Sequence, residues 1–291
     1  MSCCAKLARI IGVLLVAAAL GACSTVRLAY NNLPELSYWW LDGYLDFDSA
    51  QTPKVRDELA QLLEWHRRNE LPRVAALLQE AQALAPGEVS ADQACRMAEQ
   101  IRERLLAVAV QAEPAIADIA LGLGDAQLQQ LERKYAKINA EYHKEWLDRS
   151  KADVHERRYD RFLERLEDFY GRLEPAQRDL LRRQIAQSVF DPKLADAERR
   201  QRQREMLALL RGLQAARPPA AEARAAVHAH VLRIADPPPG PWRAHQQALL
   251  EEGCRNLAAL HGVTGAGQRD KAVQRLAAYR DDVARLMAAA P

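Results

Sequence analysis

The chain has little of what builds a sheet, an active site or a membrane span. Runs of Val, Ile and Thr alternating at period two are missing. Half-buried strands carry that alternation, so no sheet is expected. Glycine is sparse, 13 in 291 residues, and it and the 14 prolines read as punctuation between helices. The opening apolar run, Ile10 to Leu20, is eleven residues, whereas a spanning helix needs about 20. Charge of one sign is not in excess either. Residues 1–22 hold Lys6 and Arg9 and no acid, so the rest of the chain balances 39 basic against 39 acidic residues. Nucleic-acid binding usually shows a basic excess, so no nucleic-acid partner is expected. There is no Cys-x-x-Cys, His-Glu-x-x-His, glycine-rich phosphate loop or Gly-x-Ser-x-Gly. Hence no catalytic residue, metal set or cofactor is expected, and the chain reads as a non-enzyme.

What is present begins with a secretory signal. Lys6 and Arg9 precede the apolar run, and Leu20-Gly21-Ala22-Cys23 follows it. This order marks residues 1–22 as a signal peptide. Leu20-Gly21-Ala22-Cys23 resembles the lipobox of bacterial lipoproteins. The resemblance implies lipidation at Cys23 as the first mature residue, with three acyl chains; two or more give stable anchoring. Ser24, in place of Asp, implies the outer membrane, with the protein on the periplasmic face. Residues 23–33 then form a lipidated tether and 34–291 a single helical domain, with the proline-rich stretch 236–241 as a candidate subdivision. Cys95 and Cys254 remain as a pair in an oxidising compartment and are expected to form a disulfide. The bridge would set the helix after Ser90 beside the helix after Trp242.

The body of the chain is rich in Ala, Leu, Arg, Gln and Glu, which are strong helix formers. An aromatic segment comes first. Leu36, Trp40, Tyr44 and Phe47 share one helical face. Tyr38, Trp39, Trp40 and Tyr44 are the candidate partner surface. Either the segment folds back and buries its rings, or Trp and Tyr sit at the membrane interface. Thr52-Pro53 opens the next helix, and Pro72 kinks or restarts it. Ser90 caps a helix whose stripe is Met97, Ile101, Leu105, Val108 and Ala112. Asp125 opens a pattern that resumes from Tyr159 to Leu173. No Gly or Pro lies inside 125–173, so one helix of over forty residues is expected there, with a hairpin near Arg149-Ser150-Lys151 as the alternative. Proline signals at 175, 192 and 218–219, and then 236–241, divide the remainder.

Several helices start alike: an apolar residue, a cap or turn residue, two more, then Gln. Val89 to Gln93, Leu123 to Gln127 and Leu173 to Gln177 fit, and Val263 to Gln268 fits with one extra residue. The Gln can reach back to the free cap amide. This pattern is similar to the Leu-Thr-x-x-Gln signature of small helical periplasmic proteins, among them the Spy-like chaperones. The resemblance implies a helical fold whose concave face holds unfolded clients. A broader resemblance rests on the lipobox, Tyr30-Asn31-Asn32-Leu33, Tyr38-Trp39-Trp40-Leu41-Asp42, Trp65-His66-Arg67-Arg68-Asn69-Glu70-Leu71-Pro72 and the two late Gln motifs. Together they resemble a proteobacterial lipoprotein family of unknown function.

Polar candidates are few. His66 and Glu70 stand four apart and can meet on one helix face. His228 and His230 are two apart and diverge. His143 and His155 share a face but stand about 18 Å apart along a helix. The basic run Arg199 to Arg204 reads as a solvated face or as a contact for anionic lipid. The sequence thus predicts an all-α, elongated multi-helix bundle of about eight helices with one very long helix. Its expected role is that of a lipid-anchored periplasmic non-enzymatic binding protein, either a chaperone-like holder of envelope proteins or a helical adaptor. The alternative is metal buffering or sensing through scattered histidines. Expected partners are the membrane, through the anchor, and a protein partner or unfolded client.

Overall fold

The computed structural model of the chain describes residues 28–288. The expected signal peptide, residues 1–22, and the expected lipidation site Cys23 lie outside the described residues. Within them the fold is all-α, with no strand. Twelve helical segments are present rather than about eight. In chain order they are α1 (Leu33–Leu45), α2 (Gln51–Asn69), α3 (Leu71–Leu84), α4 (Ala91–Leu121), α5 (Asp125–Tyr142), a π-turn (His143–Leu147), α6 (Lys151–Tyr170), α7 (Pro175–Ala186), α8 (Pro192–Ala216), α9 (Ala220–Ala235), α10 (Pro241–Gly262) and α11 (Ala266–Ala288). Residues 28–31 form a helical turn.

The expected very long helix is absent, and so is the hairpin. α5 and α6 do not pack on each other. The chain leaves α5 through the π-turn, where Asp148 N–H donates to His143 O at 2.9 Å. Ser150 then starts α6: its hydroxyl accepts from Asp153 N at 3.2 Å, and Asp153 Oδ2 accepts from Ser150 N at 3.3 Å. A Ser-x-x-Asp capping box ends one helix and opens the next without any Gly or Pro. The longest described helix is instead α4, of 31 residues, with Pro114 inside it. The boundaries at Glu70, before Pro72, and at Pro219 fall where the proline signals put them.

One helix arrangement occurs twice. In α1, α2, α4 and α5, the first helix packs on the second and fourth, and the second on the third. The set α6, α7, α10 and α11 repeats these pairings. The helices between are exchanged. α3, from the first half, lies along α11 of the second. α8 and α9, from the second half, cover α4 and α5 of the first. The larger core follows from this: Ala117, Ala120, Leu123, Leu128 and Leu131 are buried against Leu210, Leu213, Ala223 and Val227. Each Leu or Val buried there contributes roughly 1.5–3 kcal/mol. The second half has a smaller cluster of Tyr170, Leu173, Leu260 and Ala272. The Cys95–Cys254 disulfide is present and joins α4 to α10.

Candidate functional site

Two glutamine clasps hold the repeated corners. Gln127 Nε2 donates to Gln51 Oε1 at 2.7 Å, and Gln51 Nε2 returns a bond to Gln127 Oε1 at 3.2 Å. Each Oε1 also accepts its own cap amide, Asp48 N at 3.1 Å and Gly124 N at 3.0 Å. Each Nε2 also donates to the opposite turn, Gln51 to Gly122 O and Gln127 to Asp46 O. In the second half Gln177 and Gln268 exchange bonds of 2.7 and 2.9 Å. Their cap amides are Glu174 and Gly265, and their turn carbonyls are Val263 and Arg172. Every amide group of the four glutamines is therefore satisfied, as burial requires.

The geometry corrects the reading of the last motif. Gly265, not Thr264, is the cap, so Thr264-Gly265-Ala266-Gly267-Gln268 has the regular spacing and no extra residue. Thr264 fills the buried place that Leu123 fills in the first half, and its hydroxyl donates to His261 O at 2.6 Å. Phe47-Asp48-Ser49-Ala50-Gln51 is a start signal that the sequence reading missed. The apolar residue, the acid cap and the Gln three positions on were all visible; Thr52-Pro53 drew attention one step too far.

An apolar groove opens between α3, α4, α6, α10 and α11. It encloses about 370 Å³ and is lined by Leu84, Met97, Ile101, Phe169, Leu257 and Leu276. That size falls within the range of small-molecule and side-chain pockets. Tyr170 and His261 also line it. His261 Nε2 donates to Gly87 O at 2.8 Å, since a carbonyl only accepts, and its Nδ1 accepts the Tyr170 hydroxyl at 2.9 Å. These two residues thus offer the groove ring surface rather than free polar atoms. The stripe Met97, Ile101, Leu105 is not the buried face of α4. The residues of α4 that are buried are Ala94, Glu113, Ala117 and Ala120. Ile101 is 47% exposed, Leu105 67% and Leu257 42%. Cys95 and Cys254 tie together the two helices that carry Ile101 and Leu257.

The aromatic segment divides. Tyr38 is buried with Phe47 and Val55, its hydroxyl bonded to Thr52 Oγ1 at 2.9 Å and its ring under the Arg56 guanidinium. Tyr44 packs edge-on to Tyr135, whose hydroxyl burial pushes up to about 12. Trp39 and Trp40 stay exposed. Of the expected face Leu36, Trp40, Tyr44 and Phe47, the first two are exposed, Tyr44 is partly buried and Phe47 is buried. The inward face is Tyr38 with Leu41 and Leu45. Two of the motifs quoted above meet in space: Tyr30 Oη bonds His66 Nδ1 at 2.9 Å, and Arg67 Nη2 donates to Asn31 Oδ1 at 3.0 Å. They fasten the N-terminal turn to α2.

The other candidates are paired off or apart. Glu70 is buried, 3.7 Å from the Arg104 guanidinium, while His66 bonds Tyr30 instead. His143 pairs with Asp148 and His228 with Glu113. Among the described residues no three His, Cys, Asp or Glu gather to hold a metal ion. Most of the basic run is paired within α8: Arg199 and Arg200 bond Asp196, and Arg202 bonds Glu198, while Arg204 donates to Gln201. Burial pushes the Asp196 carboxyl up, but the guanidinium bonds outweigh it and hold the group below its ordinary range. No single described helix is long and apolar enough to cross a membrane.

Comparison with known proteins locates the chain without naming an activity. No curated protein and no solved structure matches it. The model of the Family of unknown function (DUF6279) matches residues 43–219. That match includes the whole first clasp and the Glu174–Gln177 corner of the second. Covering more than half of the chain, it shows that the protein belongs to the DUF6279 family.

Proposed function

We propose that the protein is a lipid-anchored periplasmic binding protein without catalytic activity, held at the outer membrane by acyl chains on Cys23. In this reading the groove between α4 and α10 holds apolar segments of envelope proteins, as a chaperone-like holder does. The observation that carries it is the open apolar groove of about 370 Å³ rimmed by exposed Ile101 and Leu257. Exposed apolar surface of this kind marks interaction sites, and the walls are bridged covalently at Cys95–Cys254. The lipobox-like Leu20-Gly21-Ala22-Cys23 supports the anchor. The similarity of the Gln motifs to those of Spy-like proteins supports the holding role.

The test is suppression of aggregation. The mature chain with Cys23→Ser is mixed in equal amounts with each of two unrelated, chemically unfolded clients, and light scattering is followed. Suppression for both is expected, and its loss in Ile101→Asp with Leu257→Asp. These side chains are exposed, so helicity should survive. An absence of suppression, or suppression that the double variant keeps, removes the groove as the holding site.

A further inference from the structure

We propose that a second, non-covalent membrane contact lies on α1: Leu33, Leu36, Trp39 and Trp40 rest in the headgroup region of the bilayer that carries the lipid on Cys23. The proposal rests on the anchor reading above. α1 has two apolar faces. Tyr38, Leu41 and Leu45 turn inward onto Phe47, Val55 and Leu59. At 100° per residue, Leu33, Leu36 and Trp40 fall together on another face, with Trp39 at its edge. All four are exposed, Trp39 at 70% and Trp40 at 61%. The remaining tryptophans, Trp65, Trp146 and Trp242, are half-buried.

The occupant follows from where the chain leads. Cys23 precedes Leu28 by five residues, which span at most about 18 Å when extended. Residues 28–31 are helical, and Tyr30 and Asn31 are bonded to His66 and Arg67 of α2. α1 therefore cannot swing away from the anchor end of the body. An acylated Cys23 brings this face to the membrane surface whatever else the protein does. Tryptophan is favoured at that depth because its ring is apolar and its N–H polar. The acids of α1 are kept off the face: Glu35 pairs with Arg56, and Asp42 accepts from Phe47 N at 2.9 Å. The contact would fix the tilt of the body on the membrane, which a flexible lipid tether alone would not.

The test uses the full mature protein, lipid in place, reconstituted into phosphatidylethanolamine–phosphatidylglycerol vesicles with brominated acyl chains. Bromine quenches only tryptophans that touch the lipid. Strong quenching is expected, and its loss in Trp39→Phe with Trp40→Phe. Leu33→Ser with Leu36→Ser keeps both reporters and should weaken the quenching. The mass of the N-terminal peptide is read on the same preparation. An unacylated Cys23 overturns the anchor and this proposal together. An acylated Cys23 with unquenched Trp39 and Trp40 overturns the proposal alone. If those tryptophans are shielded from acrylamide only as protein concentration rises, a second copy covers the face and the bilayer does not.

Discussion

The two halves share one corner geometry and differ in what fills them. In the first, two helices, α8 and α9, cover α4 and α5, and the space closes into a buried core from Ala117 to Val227. In the second, α3 alone lies along α11, and the groove beside Met97 and Ile101 stays open. The clasps differ in the opposite sense. Gln177 is buried, whereas Gln51 and Gln127 are half-buried. The turns differ too. The first uses Asp46 at φ 50° and the second Gly171 at φ 69°. A side chain at Gly171 would also come within 2.7 Å of Lys271 Nζ. So the groove lies where the halves meet, between α3 and α4 of the first and α6, α10 and α11 of the second, and the Cys95–Cys254 bridge joins the halves beside it. An open apolar groove loses burial energy, and a rigid frame keeps it from collapsing.

The disulfide is the largest lever on this contrast. It closes a loop of 159 residues, and removing such a bridge costs about 2–5 kcal/mol. Cys95→Ser with Cys254→Ser should lower the urea midpoint by that order. Hydrogen exchange should then rise in the first turns of α4 and in α10, with α5 and α8 unchanged. Equal loss of protection in α5 and α8 would mean that the halves open together, and the contrast would fall. The clasps come next. Gln177→Ala removes part-buried bonds to Glu174 N–H and Val263 C=O and leaves Gln268 without its partner, about 1–3 kcal/mol. Gln51→Ala leaves groups that water can reach, about 1 kcal/mol. Equal costs in denaturant unfolding would show that burial does not separate the two clasps.

Much of this was legible in the sequence. The helical class follows from composition, and the cysteine pairing from the count once Cys3, Cys4 and the lipobox-like Cys23 are set aside. The Gln motifs also pointed to their own cap amides, as found at Gln93, Gln127, Gln177 and Gln268. Their pairing was not legible, because partners lie 76 and 91 residues apart and nothing local encodes the choice. A break near Arg149-Ser150-Lys151 stood only as the alternative to one long helix, because Ser150-x-x-Asp153 caps without Gly or Pro. The groove was not legible for a different reason. Met97, Ile101 and Leu105 have core periodicity, but periodicity does not say whether a partner helix arrives. Toward the end of α4, at Ala117 and Ala120, α8 and α9 close the core; at Met97 and Ile101 the groove stays open.

A smaller test exchanges the chemistry of the corners. Thr264 occupies the buried place held by Leu123 in the first half. Its hydroxyl donates to His261 O and accepts from Arg269 Nε at 3.2 Å. Thr264→Val keeps the shape and removes both bonds, so a loss of about 1 kcal/mol is expected. A neutral or stabilising result would mean that Thr264, like Leu123, serves by volume alone.

The smallest effect compares the two Tyr–His pairs. Tyr170–His261 is sealed, with both ring nitrogens bonded. Tyr30–His66 is half-buried, and burial lowers the His66 pKa below 6.5, with the nearby Glu70 carboxylate pulling it back up. Between that lowered value and about 6.5 the unfolded chain binds more protons than the folded one, so stability rises with pH there. The contribution is whole above about pH 6.5 and is lost as pH falls through the folded value. Urea midpoints measured from about pH 7.5 down to pH 5 should therefore fall more steeply in the native chain than in His66→Gln. Exchange protection around Tyr30 should weaken over the same range while that around Tyr170 holds. If the His66→Gln slope matches the native one, another group governs the acid limb, and the fastening of the N-terminal turn does not respond to pH.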